Sequence, residues 1–96
     1  MESDTRTVLV GYRVHGRVQG VGFRWWTRQT ACAMGLRGQV RNCSDGCVEV
    51  IALGAMDRVE RFALVLEQGP PASRVDSLDR FEPEHPPPGA SFEIAG

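Results

Sequence analysis

The chain predicts an α+β sandwich of the ferredoxin-like kind: β-α-β-β-α-β, an antiparallel sheet with both helices on one face, plus a short C-terminal strand. Three observations carry this expectation. Hydrophobic periodicity switches between two and about 3.6 residues in that order, as strands and helices require. Glycine, proline or Asp-Gly punctuates nearly every switch. Ninety-six residues, 42% of them apolar, suit one domain with one core.

"TVLVGYRVH" places Val8, Val10, Tyr12 and Val14 on one face at period two, so it reads as a strand. The glycine-rich "GRVQGVGFR", Gly16 to Arg24, follows as a loop. From there Phe23, Trp26, Thr27, Thr30, Ala31 and Met34 share one helical face, and Gly35 is placed to end the helix. "LRGQVRN" reads as a second strand, "CSDG" as a hairpin turn and "CVEVIAL" as a third strand. Met56, Val59, Phe62, Ala63 and Leu66 mark a second helix stopped by Gly69-Pro70-Pro71. "RVDSLDRF" is a weaker fourth strand, "EPEHPPPG" a proline-rich loop and "SFEIA" a final short strand. Residues 1–6 are expected to form a flexible tail and residues 7–96 the domain.

In this topology the first and second strands run the same way with the third between them. Their C-terminal ends then share one sheet edge, about 10 Å apart at two strand spacings. The glycine loop leaves the first strand there, and Asn42 ends the second.

Charge is unevenly placed. The net charge is −1, yet from Thr5 to Ser44 there are seven arginines and no acidic residue. All twelve carboxylates lie outside that stretch, and the chain has no lysine. The asymmetry points to an anionic ligand on one side. Gly16, Gly20 and Gly22 allow successive backbone N–H groups to turn into one concavity, an anion-binding nest. The loop feeds a helix N-terminus, which also favours an anion, and Arg24 in the first helical turn can add a bidentate contact. An ordinary glycine-rich connection with a solvated Arg24 fits the same residues.

Other candidates have plainer readings. His15 ends the first strand near the loop and is expected to be structural or exposed. Trp26 falls on the apolar helix face and Trp25 on its flank, so core packing is favoured over base stacking. Cys32 is expected to face the core or be part-buried. Cys43 and Cys47 flank the hairpin turn, and a metal site would need two more ligands that the spacing does not offer. Thr27 supports the loop by hydrogen bonding or simply packs. The odd cysteine count and the lack of a signal-peptide core or of a 20-residue apolar run predict a reduced cytoplasmic protein without membrane attachment. Nucleic-acid binding is not expected, because the central strands offer no paired exposed aromatics.

"GRVQGVGFR" and "GQVRNCSDGCVEVIALG" resemble the two signatures of the acylphosphatase family, in order and at the usual separation. "RFALVLEQGPPASRVDSL" is also similar to its second helix and fourth strand. One departure is Gln39, which stands where the family usually has an aromatic residue. The resemblance implies hydrolysis of acyl phosphates to a carboxylate and phosphate, without metal or organic cofactor; a monomer is expected, though the sequence itself gives no oligomeric state. Arg24 corresponds to the family's phosphate-binding arginine and Asn42 to its water-orienting asparagine. Arg17, Val18, Gln19, Gly20, Val21 and Gly22 correspond to its phosphate-binding loop, with inorganic phosphate or sulfate as a site ligand. Similar domains also begin larger hydrogenase-maturation carbamoyltransferases, so a non-catalytic phosphate- or carbamoyl-phosphate-binding module is the alternative. A chain ending at Gly96 is expected to be the free enzyme.

Overall fold

In the computed structural model, which describes residues 4–96, the chain runs β1 (Thr7–Arg17), α1 (Phe23–Ala33), β2 (Arg37–Asn42), β3 (Val48–Ala55), α2 (Met56–Gln68), β4 (Arg74–Phe81) and β5 (Phe92–Ile94). The strands form one sheet in the order β4-β1-β3-β2-β5. β3 pairs antiparallel with both β1 and β2, and β4 pairs antiparallel with β1. The expected ferredoxin-like arrangement is therefore present. The fifth strand refines it: β5 joins β2 in parallel, making the sheet mixed. A chain that leaves β4 at one edge and crosses the whole sheet arrives at β2 pointing the same way as β2.

The period-two face of β1 forms the core. Val10, Tyr12 and Val14 are buried, paired in register with Ala52, Val50 and Val48 of β3. Above them lie Phe23, Thr27 and Ala31 of α1 and Val59, Phe62 and Leu66 of α2. Phe62 meets Phe92 of β5 edge-on, ring centroids 6.1 Å apart, so the short last strand is anchored through its aromatic residue. Emptying such a site by Phe→Ala typically costs about 3–5 kcal/mol.

The other sheet face carries Arg13, Glu49 and Arg41, and segment 82–91 crosses it as a proline-rich strap. Glu49 is nearly buried and accepts from Arg41 through both oxygens at 3.1 and 3.2 Å, with Arg13 at 3.6 Å. Arg13 also stacks on the Phe81 ring, 4.3 Å from its centroid. Arg37 donates to the Gly89 carbonyl at 2.7 Å and holds the far end of the strap.

Residues 1–3 of the expected tail lie outside the described residues. Asp4 and Arg6 are tied to α2: their carbonyls accept the N–H groups of Asp57 and Met56 at 2.9 and 2.8 Å. They satisfy two of the donors that a helix N-terminus leaves unpaired.

Candidate active site

β1 does not end smoothly. Its pairing with β4 slips by one residue between His15 and Gly16, with Asp76 the extra residue on β4, and Gly16 and Arg17 pair with Val75 and Arg74 before the chain enters the glycine loop. The loop is then pinned from several sides. Val18 is fully buried, Val21 packs on the core, and Phe23 is buried at the start of α1. Between the valines, the Gln19 amide nitrogen donates to the carbonyls of Cys43 and Cys47 at 2.8 and 2.9 Å. Its two hydrogens thus clamp the loop to the β2–β3 hairpin.

Gly20 and Gly22 have φ of 75° and 77°, the left-handed region, and an added Cβ at either would meet nothing within 4 Å. Backbone conformation, rather than crowding, calls for glycine here. Gly22 is the N-cap of α1 and offers no side-chain cap, so the first N–H groups of the helix remain available to a ligand.

These features meet Asn42 in a cleft of about 200 Å³ lined by Val18, Gly20, Gly22, Phe23, Arg24, Trp25, Asn42 and Ile94. Arg24 comes from the first turn of α1 and Asn42 from the end of β2, brought together because β1 and β2 end at the same sheet edge. The Asn42 backbone N–H is held by the Gly96 carbonyl at 2.9 Å. Its side-chain Oδ1 is buried without a hydrogen-bond partner among the described residues. Of the expected loop residues, Arg17 is exposed, while Gln19 and Val21 act through the clamp and the core.

The arginine-rich half is mostly engaged elsewhere. Arg6 pairs with Asp4, Arg13 and Arg41 with Glu49, Arg28 donates to the Phe92 carbonyl, and Arg37 to Gly89. Among the described residues, Arg17 and Arg24 have no such partner, and Arg24 alone of the seven lines the cleft. The charge asymmetry is largely architectural; one guanidinium of it faces the site.

Two expectations change, those for Trp25 and Cys32. Trp25 is not packed in the core: it is 61% exposed and stands on the rim of the cleft with Ile94, itself 43% exposed. Cys32 is exposed rather than core-facing. His15 hydrogen-bonds Asp79 at 3.0 Å and does not line the cleft. Thr27 is fully buried, and its Oγ1 has no partner among the described residues, so it packs rather than bonds to the loop. Gln39 lies on the strap side, lining a larger cavity of about 470 Å³ with Arg13, Glu49 and Phe81. That cavity is bigger than the cleft but shares none of its glycine loop, Arg24 or Asn42, so volume alone does not identify the site. An aromatic residue in place of Gln39 would fill part of it.

The hairpin beside Asn42 holds a group that spacing alone did not suggest. Asp45, read as a turn residue, has its carboxylate near both cysteine thiols, the three ligand atoms lying within 4.8 Å of one another. Burial, then hydrogen bonds to Asp45 and Cys43, push the Cys47 thiol up to about 12. The Cys47 N–H and thiol, bonded to Asp45, hold that carboxyl below its usual range.

With the geometry in place, comparison with known proteins is direct. The sequence pattern that defines acylphosphatases matches residues 10–94. The chain belongs to the acylphosphatase family. It is 51% identical over 81 residues to an acylphosphatase from Chromohalobacter salexigens, covering 84% of this chain and 89% of that one. It is 49% identical over 73 residues to one from Syntrophotalea carbinolica, covering 76% and 79%. The crystal structure of acylphosphatase from Bacillus subtilis superimposes with a TM-score of 0.85 at 32% identity, over 95% of this chain and all of that one. Full-length HypF in a phosphate- and nucleotide-bound form also superimposes, with a TM-score of 0.81 at 27% identity, but the match spans 12% of that chain. The family membership makes the chain an acylphosphatase-type enzyme. No described helix is long and apolar enough to cross a membrane.

Proposed function

We propose that the chain hydrolyses the carboxyl–phosphate bond of small acyl phosphates by in-line attack of water, with the phosphoryl group held by the Gly16–Gly22 loop and Arg24. The observation that carries this reading is the convergence of Gly20, Gly22, Arg24 and Asn42 on one cleft. The loop N–H groups and the α1 N-terminus supply positive potential, and the Arg24 guanidinium supplies a planar fork that matches two phosphoryl oxygens. Phosphoryl transfer spreads charge over equatorial oxygens, so fixed donors and positioning do most of the catalytic work.

Asn42 cannot accept a proton at neutral pH, since its side chain is an amide. Lining the cleft, that amide is suited to orient an attacking water. The water oxygen bonds phosphorus as the bond from phosphorus to the carboxyl oxygen breaks. The acid leaves as a carboxylate, taking the bonding pair, and one water proton passes to a phosphoryl oxygen. R–CO–O–PO₃²⁻ and water thus become R–COO⁻ and H₂PO₄⁻. The conjugate acid of the leaving group has a pKa near ~4, so no general acid is needed at pH 7. Trp25 and Ile94 form an apolar rim where the departing acyl group would lie. The three free cysteines suit a reducing, cytoplasmic setting, and the reading needs neither nucleic acid nor a second subunit.

The test is phosphate release from acetyl phosphate and benzoyl phosphate by purified protein after exhaustive chelation with EDTA. Turnover should persist, with inorganic phosphate and sulfate as competitive inhibitors. A protein that binds phosphate but releases none from either substrate would instead be a binding module. Activity that disappears with EDTA and returns with a divalent ion would refute the metal-free route.

A further inference from the structure

The geometry of the β2–β3 hairpin points to a second site, separate from the cleft: we propose that Cys43, Asp45 and Cys47 bind one thiophilic divalent cation of the zinc class. Cys43 and Cys47 face each other where the ladder closes, the Cys43 N–H donating to the Cys47 carbonyl at 2.9 Å. The turn between them folds Asp45 back, so its carboxylate reaches the same point as the two sulfurs, all three ligand atoms within 4.8 Å.

Zinc sits about 2.3 Å from sulfur and about 2.0–2.2 Å from carboxylate oxygen, which places tetrahedral ligands roughly 3.5–3.8 Å apart. From at most 4.8 Å, the three side chains need to close by about 1.0–1.3 Å at most to reach that separation. Cys43 is part-exposed and Asp45 exposed, so both can move, while the buried Cys47 provides a fixed point.

The donor set chooses the metal. Two sulfurs favour borderline-soft cations over calcium or magnesium, which take oxygen ligands. Three protein ligands leave a fourth tetrahedral position for water, so the site is open rather than a sealed structural centre. The Cys47 N–H donates to Asp45 Oδ1 at 3.1 Å and already orients the carboxylate, as outer contacts do in metal sites. On binding, each thiol gives up its proton to solvent and the cation takes both sulfur lone pairs.

Cobalt(II) is the probe, because thiolate–cobalt bonding gives a sulfur-to-metal charge-transfer band and tetrahedral cobalt gives intense visible bands. The host is the full chain with Cys32→Ser, which removes the one remaining thiol, kept reduced by a phosphine so that a Cys43–Cys47 disulfide cannot form. One equivalent of cobalt should develop both bands, and zinc should displace it and raise the melting temperature. Cys43→Ser, at a part-exposed position, should abolish the charge-transfer band and weaken zinc binding more than about a hundredfold, beyond the 10–100-fold typical of losing an outer contact. Asp45→Asn keeps the turn and should weaken binding at least about tenfold. Absence of the bands in the host, or equal zinc affinity in the host and in Cys43→Ser, would overturn the proposal. Equal affinity in Asp45→Asn would remove the carboxylate from the ligand set and overturn the three-ligand site. Phosphate release in EDTA is independent of all these outcomes.

Discussion

Replacing Gln19 separates the clamp from the chemistry. Gln19→Met keeps the length and most of the volume but removes both donors, leaving the Cys43 and Cys47 carbonyls with only their backbone partners, the N–H groups of Gly46 and Cys43. Each hydrogen bond contributes about 0.5–1.5 kcal/mol net, so the pair accounts for about 2 kcal/mol. In a domain this size 1 kcal/mol shifts the melting temperature by about 4–8 °C, so a fall of about 8–16 °C is expected. Gln19→Glu is the sharper perturbation, because it directs a carboxylate at two carbonyl oxygens. At pH 7 it should be less stable than Gln19→Met. The repulsion raises the folded-state pKa of the new carboxyl above about 4.3, its unfolded value. Its penalty should therefore shrink as pH falls through the raised folded value, because the protonated acid regains one donor. Chemical denaturation of the three proteins at pH 7 and pH 4.5 measures this, and phosphate release reports the functional side. Since Cys43 adjoins Asn42, kcat should drop at least tenfold, with phosphate inhibition changed much less. A Gln19→Met protein within about 0.5 kcal/mol of the parent, or a Gln19→Glu protein more stable than Gln19→Met at pH 7, would refute the clamp.

Arg24→Ala should remove most turnover and most of the thermal stabilisation by inorganic phosphate, which in the parent should reach about 2.7 kcal/mol at a hundred times the dissociation constant. Arg24→Lys should recover little, because charge without the planar fork cannot bridge two oxygens; calorimetry with phosphate checks both. Asn42→Ala should lower kcat severely and leave the phosphate inhibition constant nearly unchanged, as steady-state kinetics with phosphate as inhibitor will show, because its contact is with the nucleophile in the transition state. Tyr12 is buried, and burial first of all raises its phenol above the usual value. That contribution to stability is complete below about pH 10, the unfolded value, and is lost as pH climbs through the raised folded value. Tyr12→Phe should flatten the alkaline limb of a stability–pH curve.

Periodicity made most of the fold readable. Val10, Tyr12 and Val14 alternate, Phe23, Thr27 and Ala31 recur at helical spacing, and each set is buried together. The loop glycines, Arg24 and Asn42 were readable because the topology sends β1 and β2 to one edge. Trp25 and Cys32 were misplaced because apolar character was weighed above angle. At about 100° per residue both sit on the side of α1 away from Phe23, which predicts the exposure observed. Ile94 could not be placed without knowing that β5 adds in parallel beside β2. The Gln19 clamp was hidden for another reason: its partners are main-chain carbonyls, which every residue has, so no side-chain pattern marks them. Asp45 was hidden behind its turn chemistry, because an Asp-Gly pair explains itself locally.

The order of the strands also governs how fast this molecule can form. Apart from the β2–β3 hairpin, each pairing joins distant stretches: Thr7 meets Ala55, Gly11 meets Phe81 and Gly38 meets Phe92. Long stretches of chain must be closed before those contacts repay the lost entropy, and such topologies fold on the slow side for their size. The hairpin and the two helices can form early. The outer strands must wait for a sheet to dock on, and β5 waits longest, since its three residues gain a partner only after β2 is in place and the strap has crossed. Until then the free edge of β2, with Asn42 at its end, is open to pairing with another chain, so folding yield should fall with protein concentration even where the native fold is stable.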